Sequence, residues 1–378
     1  MLLLTHISTQ IHLLQNDVAS LWIRPKFFWE EADCWPFFPA CDSLAAGEKW
    51  MFFAVVGVYA LITFLGFAFF WMKKSSRFYA VLLVLFLVKA ALVASRYAFF
   101  GNEELLYLLL SFSFLFLPGK IVVGRWLVVL FHVFAGWSML NTEWLSGAAL
   151  PARFAFPQPL LRFVLYEIAL FQALLIWGVF SSGALFRKAV LVHLIALSFL
   201  SYPVSGFYPF FLSLACALFL VMTVWRDGVP GGISCDFSRL TGSKARVVFL
   251  VLFAVAQVFP RWISEDAALS GLPKLFAINV LGPSLQCHYH LFREKPGSTE
   301  DLRILSWGRT DRTLCDPLVF LERLRKYCLS ATGEEKNHFV LLSKRTTDIR
   351  ARVILKIEDA CQKRNLQWFE LKTSLGSY

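Results

Sequence analysis

Charge is the scarcest resource in this chain. Only 17% of its 378 residues are Asp, Glu, Lys or Arg, against roughly 25% in an ordinary soluble domain. Glycine (21) and proline (15) are too few for a collagen-like or low-complexity chain, and eight cysteines over this length do not make a disulfide-dense mini-protein. No GxGxxG, GxSxG, HExxH or P-loop pattern occurs, so nucleotide, serine-hydrolase and zincin chemistry have no support. Apolar side chains are abundant instead: 57% of residues are hydrophobic and 16% aromatic, with a mean hydropathy of +0.59. That is more apolar surface than a water-soluble core can bury. The expected solvent is lipid.

The net charge of +11 is unevenly spread. Residues 1–49 carry 3 Lys/Arg against 6 Asp/Glu, residues 50–260 carry 15 against 6, and residues 261–378 carry 19 against 14. The excess lies mainly between hydrophobic runs, where its usual cause is membrane orientation. Nucleic acid is not the expected partner.

A membrane-crossing helix needs about 20 apolar residues, because each rises about 1.5 Å through a core about 30 Å thick. Residues 50–72, 78–100, 121–140, 160–181, 207–225 and 245–260 meet that need. Residues 104–117 and 185–201 are shorter, and read as thin spans, re-entrant hairpins or core helices at membrane depth. The expected fold class is therefore membrane all-α, a multi-pass bundle of about eight spans. Lys73, Lys74, Arg77, Lys120, Arg125, Arg187, Lys188, Arg226, Arg239, Lys244 and Arg246 fall on one side, and only Arg153 and Arg162 on the other. This asymmetry puts residues 141–159, the N-terminal segment and the C-terminal region outside the cytoplasm. An inner, cytoplasmic membrane is the expected location.

Three regions follow: an extracytoplasmic or interfacial segment (1–49), the helical bundle (50–261) and an extracytoplasmic α/β domain (262–378). In the first, Thr5, His6, Ser8, Thr9 and Gln10 break the opening apolar run, so residues 1–23 read as an amphipathic helix and no cleaved signal peptide is expected. In the third, residues 285–292 and 302–307 read as strands around a Lys295-Pro296-Gly297-Ser298 turn. Asp316-Pro317 opens a helix to about residue 331, and residues 339–342 read as a strand. The spacing of Ile349, Val353, Ile354, Ile357 and Cys361 predicts an amphipathic helix, followed by a strand at 366–371.

Cys216 falls inside a span and Cys235 in a cytoplasmic loop. The other six, Cys34, Cys41, Cys287, Cys315, Cys328 and Cys361, fall in regions placed outside, where disulfides persist. They are disulfide candidates with buried thiols as the alternative, and the connectivity stays open.

Ionisable groups at membrane depth are functional-site hypotheses by default. Lys89 and Arg96 share one helix face, as do Arg125 and His132; Glu167 and His193 lie within later spans. Lys89 or Arg96 with Glu167 is the natural pairing across a cavity. Arg96 and Arg125 lie near span ends and can instead snorkel, and each histidine can be a hydrogen-bonded core residue. In Cys287-His288-Tyr289-His290 the spacing offers too few ligands for zinc. No metal and no cofactor is expected.

The stretch 135–150, Ala-Gly-Trp-Ser-Met-Leu-Asn-Thr-Glu-Trp-Leu-Ser-Gly-Ala-Ala-Leu, resembles the signature loop of the HTTM family, the horizontally transferred transmembrane proteins related to vitamin K-dependent gamma-carboxylase. Gly136, Leu140, Asn141, Glu143, Trp144, Gly147 and Leu150 fit its pattern. His193, Tyr208-Pro209 and residues 210–220 are similar to the family's later His and Phe-Pro-rich spans. The resemblance covers roughly residues 50–260. Where it implies a lysine that starts carboxylation by removing a proton, this chain has Ser138 and Met139, and neither is such a base. Glutamate carboxylation is therefore not expected. From the residues alone, Trp144 reads as an interfacial anchor, Gly147 as a tight turn, and Glu143 as a helix cap or a group at a cavity mouth.

Three functions compete. The resemblance implies an outward-facing maturation or interaction factor for a secreted peptide or a soluble extracytoplasmic partner, since relatives include a bacterial factor that matures a secreted toxin peptide. A second reading is an enzyme acting on a quinone, lipid or lipid-linked substrate in a cavity lined by Lys89, Arg96, Arg125, His132, Glu167 and His193, with His132 as acid/base. Transport comes third, because no internal repeat is evident.

Overall fold

In a computed structural model, the described residues are 2–14, 49–95, 101–148, 157–205, 207–225, 232–263, 277–278, 285–295, 298–301, 316–330, 336–345 and 347–361. Arg96, Cys34, Cys41, Cys315 and the strands expected at 302–307 and 366–371 lie outside them.

The chain is mostly helical. Within the described residues each hydrophobic run picked out above is helical: α2 (Lys49–Trp71), α3 (Ser75–Ser95), α4 (Asn102–Phe116), α5 (Lys120–Met139), α7 (Gln158–Ala173), α8 (Ala184–Ser205), α9 (Phe207–Leu220) and α11 (Lys244–Ile263). A shorter helix, α1 (Leu2–Leu14), precedes them; α6 (Thr142–Leu145) and α10 (Gly232–Thr241) lie between. A 3-10 turn, Leu175–Phe180, extends α7, and a π turn, Val221–Trp225, extends α9.

Among the described residues, three helices are long and apolar enough to cross a membrane: Phe53–Trp71, Ser75–Ala94 and Lys120–Met139. They differ in surroundings. Only 22% of the first window is buried, against 72% of the third, so α2 is peripheral and α5 central. Phe53, Val58, Leu61, Phe64 and Phe70 of α2 all point outward. In water such a face would be a large sticky patch. In lipid it costs nothing, because α2 satisfies its backbone hydrogen bonds internally.

Two glycines set the geometry around α5. A Cβ on Gly136 would stand 2.4 Å from the backbone nitrogen of Ala173, so only glycine lets α5 and α7 cross this closely. Gly119, before α5, has φ +68° and starts the helix from a left-handed turn. At this same end Lys120 donates to the Tyr79 hydroxyl and lies over the Phe114 ring, and Arg246 donates to the Arg239 carbonyl. The basic residues of two connections, Lys120 at the start of α5 and Arg239 and Arg246 around the turn between α10 and α11, therefore gather at one end of the bundle.

The C-terminal region forms a four-stranded antiparallel sheet with order β2-β1-β3-β4, from β1 (Leu285–Lys295), β2 (Ser298–Asp301), β3 (Lys336–Arg345) and β4 (Arg352–Ile357). Helix α12 (Pro317–Ser330) packs Phe320, Leu321 and Leu324 against Leu291, Phe339 and Leu341. The Cys328–Cys361 disulfide ties α12 to the turn after β4, and Cys287 is disulfide-bonded as well.

The amphipathic helix expected at 349–361 is not formed. Residues 352–357 are a strand paired with β3, with a bulge at Leu341/Leu342. Val353, Ile354 and Ile357 are β-branched and fit a pleated surface better than a helix. The bulge breaks strict alternation, so Val353, Ile354 and Leu355 are all buried and a period of two is hidden.

Candidate functional site

The N-terminal helix supplies the first site. Along Leu2–Leu14 the apolar Leu3 and Leu13 alternate with a polar group, Thr5, His6, Ser8 and Thr9, and all six are buried. The helix docks in a cleft among α2, α3, α4 and α9. Gly66 of α2 leaves a notch for Leu3: a Cβ there would meet a Leu3 methyl at 2.7 Å.

At the bottom of this cleft Lys89 Nζ lies 3.1 Å from Glu104 Oε2, with both side chains almost completely buried. Thr9 Oγ1 donates to the same carboxylate at 3.0 and 3.2 Å, and His12 Nδ1 is 3.7 Å from it. Lys89 also reaches the Thr5 carbonyl at 3.4 Å and lies 4.4 Å above the centre of the Tyr107 ring. His6 Nδ1 and the Tyr59 hydroxyl are hydrogen-bonded at 2.6 Å, and Gln10 donates to Thr63 at 2.7 Å. A charge removed from water needs such company, since its desolvation outweighs a bare Coulomb contact. The partner of Lys89 is thus Glu104, not Glu167 as the spans suggested.

Glu167 is hydrogen-bonded to His193, and the His193 ring stacks near Phe171 at 4.3 Å. Both members of this pair are part-exposed. His132 is buried in α5, and its Nε2 has no hydrogen-bond partner. Arg125 is buried one turn into the same helix. Lys89 with Glu104 and Glu167 with His193 form two separate pairs. Among the described residues no three His, Cys, Asp or Glu side chains stand close enough to hold a metal ion.

The loop after α5 forms the second site. Ser138 donates to the Ala135 carbonyl at 2.8 Å, so its hydroxyl is spent within the helix; Met139 is buried and Leu140 exposed. Asn141 caps α6 by accepting from the Trp144 amide at 2.8 Å, which takes the capping role from Glu143. Gly147, at φ +82°, turns the chain above Leu161. Trp144 is 6% exposed and packs in the core. It is not an interfacial anchor, because the loop folds it down onto α7 instead of leaving it at the rim.

Glu143, 1% exposed, belongs to neither cap nor cavity. Thr347 donates to its Oε1 at 2.6 Å, and Arg345 NH1 stands 3.5 Å from its Oε2. Burial alone would push this carboxyl up; the Thr347 hydrogen bond and the Arg345 charge outweigh it and hold the carboxyl below its ordinary value. Val319 of α12 meanwhile joins the apolar cluster of Leu3, Leu13, Leu92 and Val93. The sheet domain therefore rests on the end of the bundle that carries the 141–148 loop.

Sequence reasoning read an amphipathic helix at the N-terminus but missed Glu104 and the polar contacts of that helix's buried face. Thr5, Ser8 and Thr9 read as an interruption of an apolar run. The signal was the i, i+3, i+4 spacing of hydroxyls, which puts them on one helix face. No family model, no curated protein and no solved structure matches the chain.

Proposed function

We propose that this chain is a multi-pass membrane protein of about eight spans that acts as an outward-facing maturation or interaction factor for a secreted peptide or an extracytoplasmic partner. The bundle is the platform and the α/β domain the holding surface. In this reading it belongs to the carboxylase-like superfamily without carboxylating glutamate, because Ser138 and Met139 replace the proton-removing lysine and both are buried. The basic end, with Lys120, Arg239 and Arg246, faces the cytoplasm; the 141–148 loop and the sheet domain face out.

The observation that carries the proposal is the Glu143 contact. It ties a domain with its own core to the loop that the resemblance marks out, on the end of the bundle away from the basic cluster. An enzyme reading would have to use Lys89 while Glu104 engages it at 3.1 Å.

The test is deletion of the gene in its host, with comparison of secreted peptides by mass spectrometry. One or a few peptides are expected to disappear or change mass, and the wild-type chain to restore them. An identical set of secreted peptides with and without the chain overturns the proposal.

A further inference from the structure

We propose that the basic end of the bundle holds an anionic phospholipid, with its phosphate at Lys120 and Arg246 and its acyl chains along the aromatic rings next to them. The inference goes beyond the proposed peptide role and rests only on that reading's placement of the bundle in lipid.

The cations come first. Arg246 lies against the turn before α5: a Cβ on Gly119 would stand 2.8 Å from its Nη1 and 3.1 Å from its Cζ. Lys120 is the next residue, so a lysine of α5 and an arginine of α11 flank one turn. Among the described residues none of Arg77, Lys120, Arg239 and Arg246 has a carboxylate within ion-pair distance. Residues 72–77 and 117–120 contain no Asp or Glu at all. Uncompensated cations gathered in this way favour a shared anion.

Their present contacts are neutral. Lys120 donates to the Tyr79 hydroxyl and lies 4.1 Å over the Tyr79 ring and 4.5 Å over that of Phe114, two rings stacked at 5.6 Å. Arg77 lies 5.9 Å over the Phe69 ring, and Arg246 donates to the Arg239 carbonyl. An ammonium carries three N–H donors and a guanidinium five. Lys120 and Arg246 each spend a donor on one acceptor, which leaves donors for a phosphate.

The rings supply the apolar half. Phe249 stands three residues after Arg246, on the same face of α11 and one turn further into the bundle. It stacks on Phe112 of α4 at 5.7 Å; Phe112 packs on Phe116 at 5.1 Å, and Phe116 on Phe86 of α3 at 5.8 Å. Phe112 and Phe116 are exposed. The cations therefore stand at the head of an apolar wall built from three helices. A phosphate ester with hydrocarbon tails matches both halves, and basic pockets between helices are where anionic headgroups collect. Phosphatidylcholine, whose headgroup carries its own cation, would leave the pair without net compensation.

The test is native mass spectrometry of the full chain released from micelles doped with equal amounts of phosphatidylglycerol and phosphatidylcholine. The wild-type chain should retain phosphatidylglycerol about tenfold more often, and Lys120→Gln/Arg246→Gln should lose that preference. Lys73→Gln/Lys74→Gln removes as much charge from a neighbouring connection and should keep it. Excess inorganic phosphate should leave the bound lipid in place. In nanodiscs, hydrogen exchange over residues 244–250 of the unsubstituted chain should be slower with phosphatidylglycerol than with phosphatidylcholine, a reading that needs no variant to fold. Equal retention of the two lipids by the wild-type chain, equal loss in both variants, displacement by inorganic phosphate, or exchange that ignores the lipid overturns the proposal. Each result is independent of whether any secreted peptide changes when the gene is deleted.

Discussion

Thr347 donates a 2.6 Å hydrogen bond to Glu143, joining the segment after β3 to the loop after α5. With Arg345 on the second carboxylate oxygen, this contact is the polar part of the seat on which the sheet domain rests. Hydrogen bonds to charged groups contribute about 1.5–3 kcal/mol each when buried. Glu143→Gln should loosen the domain, seen as faster hydrogen exchange in β3 with the bundle unaffected. Unchanged exchange would show that apolar contacts such as Val319 suffice.

The same contact predicts a pH dependence. The Glu143 carboxyl sits below its ordinary value when docked. A group depressed in this way favours the docked state above its free pKa, and that contribution fades as pH falls through the docked pKa. Domain docking, followed by a fluorophore pair across the seat, should therefore hold at neutral pH and weaken in the acid range. In Glu143→Gln the acid-linked part of the change should vanish.

In the cleft, removing one member of the Lys89–Glu104 pair leaves the other buried and uncompensated. Lys89→Met or Glu104→Gln alone should cost about 3–5 kcal/mol. The double variant should recover most of it, because both charges are gone. Thermal unfolding in detergent around the four-member cycle measures the coupling. Additive losses would mean that the two residues act independently.

Gly136 offers a steric test. A methyl group there meets the Ala173 backbone nitrogen at 2.4 Å, and backbone cannot swing aside as a side chain can. Gly136→Ala should cost about 1–3 kcal/mol by forcing α5 and α7 apart, read as a lower unfolding temperature. Wild-type stability would show that the crossing relaxes freely.

Much of the bundle was legible in the sequence, because hydrophobic runs long enough for a membrane leave little choice but helix. The two strands that the structure describes at 285–295 and 336–345 were legible too, as was the helix opened by Asp316-Pro317. Strand β4 was not, since a bulge put Val353, Ile354 and Leu355 all inward and imitated a helical stripe. The site was harder to read. Which carboxylate meets Lys89 depends on how helices sit side by side, and the span pattern fixes only their existence. Glu143 gave even less sign, because its partners Arg345 and Thr347 lie some two hundred positions further along and in another domain.

The most direct measurement is thiol accessibility in intact cells. Single cysteines at Ser146 and Thr347 report on the loop and the sheet domain, and cysteines at Lys74 and Lys188 on the basic end. With a membrane-impermeant maleimide, the first two should react in intact cells and the second two only after permeabilisation. Reaction of Ser146→Cys and Thr347→Cys only after permeabilisation would put the Glu143 seat in the cytoplasm and contradict an outward-facing factor.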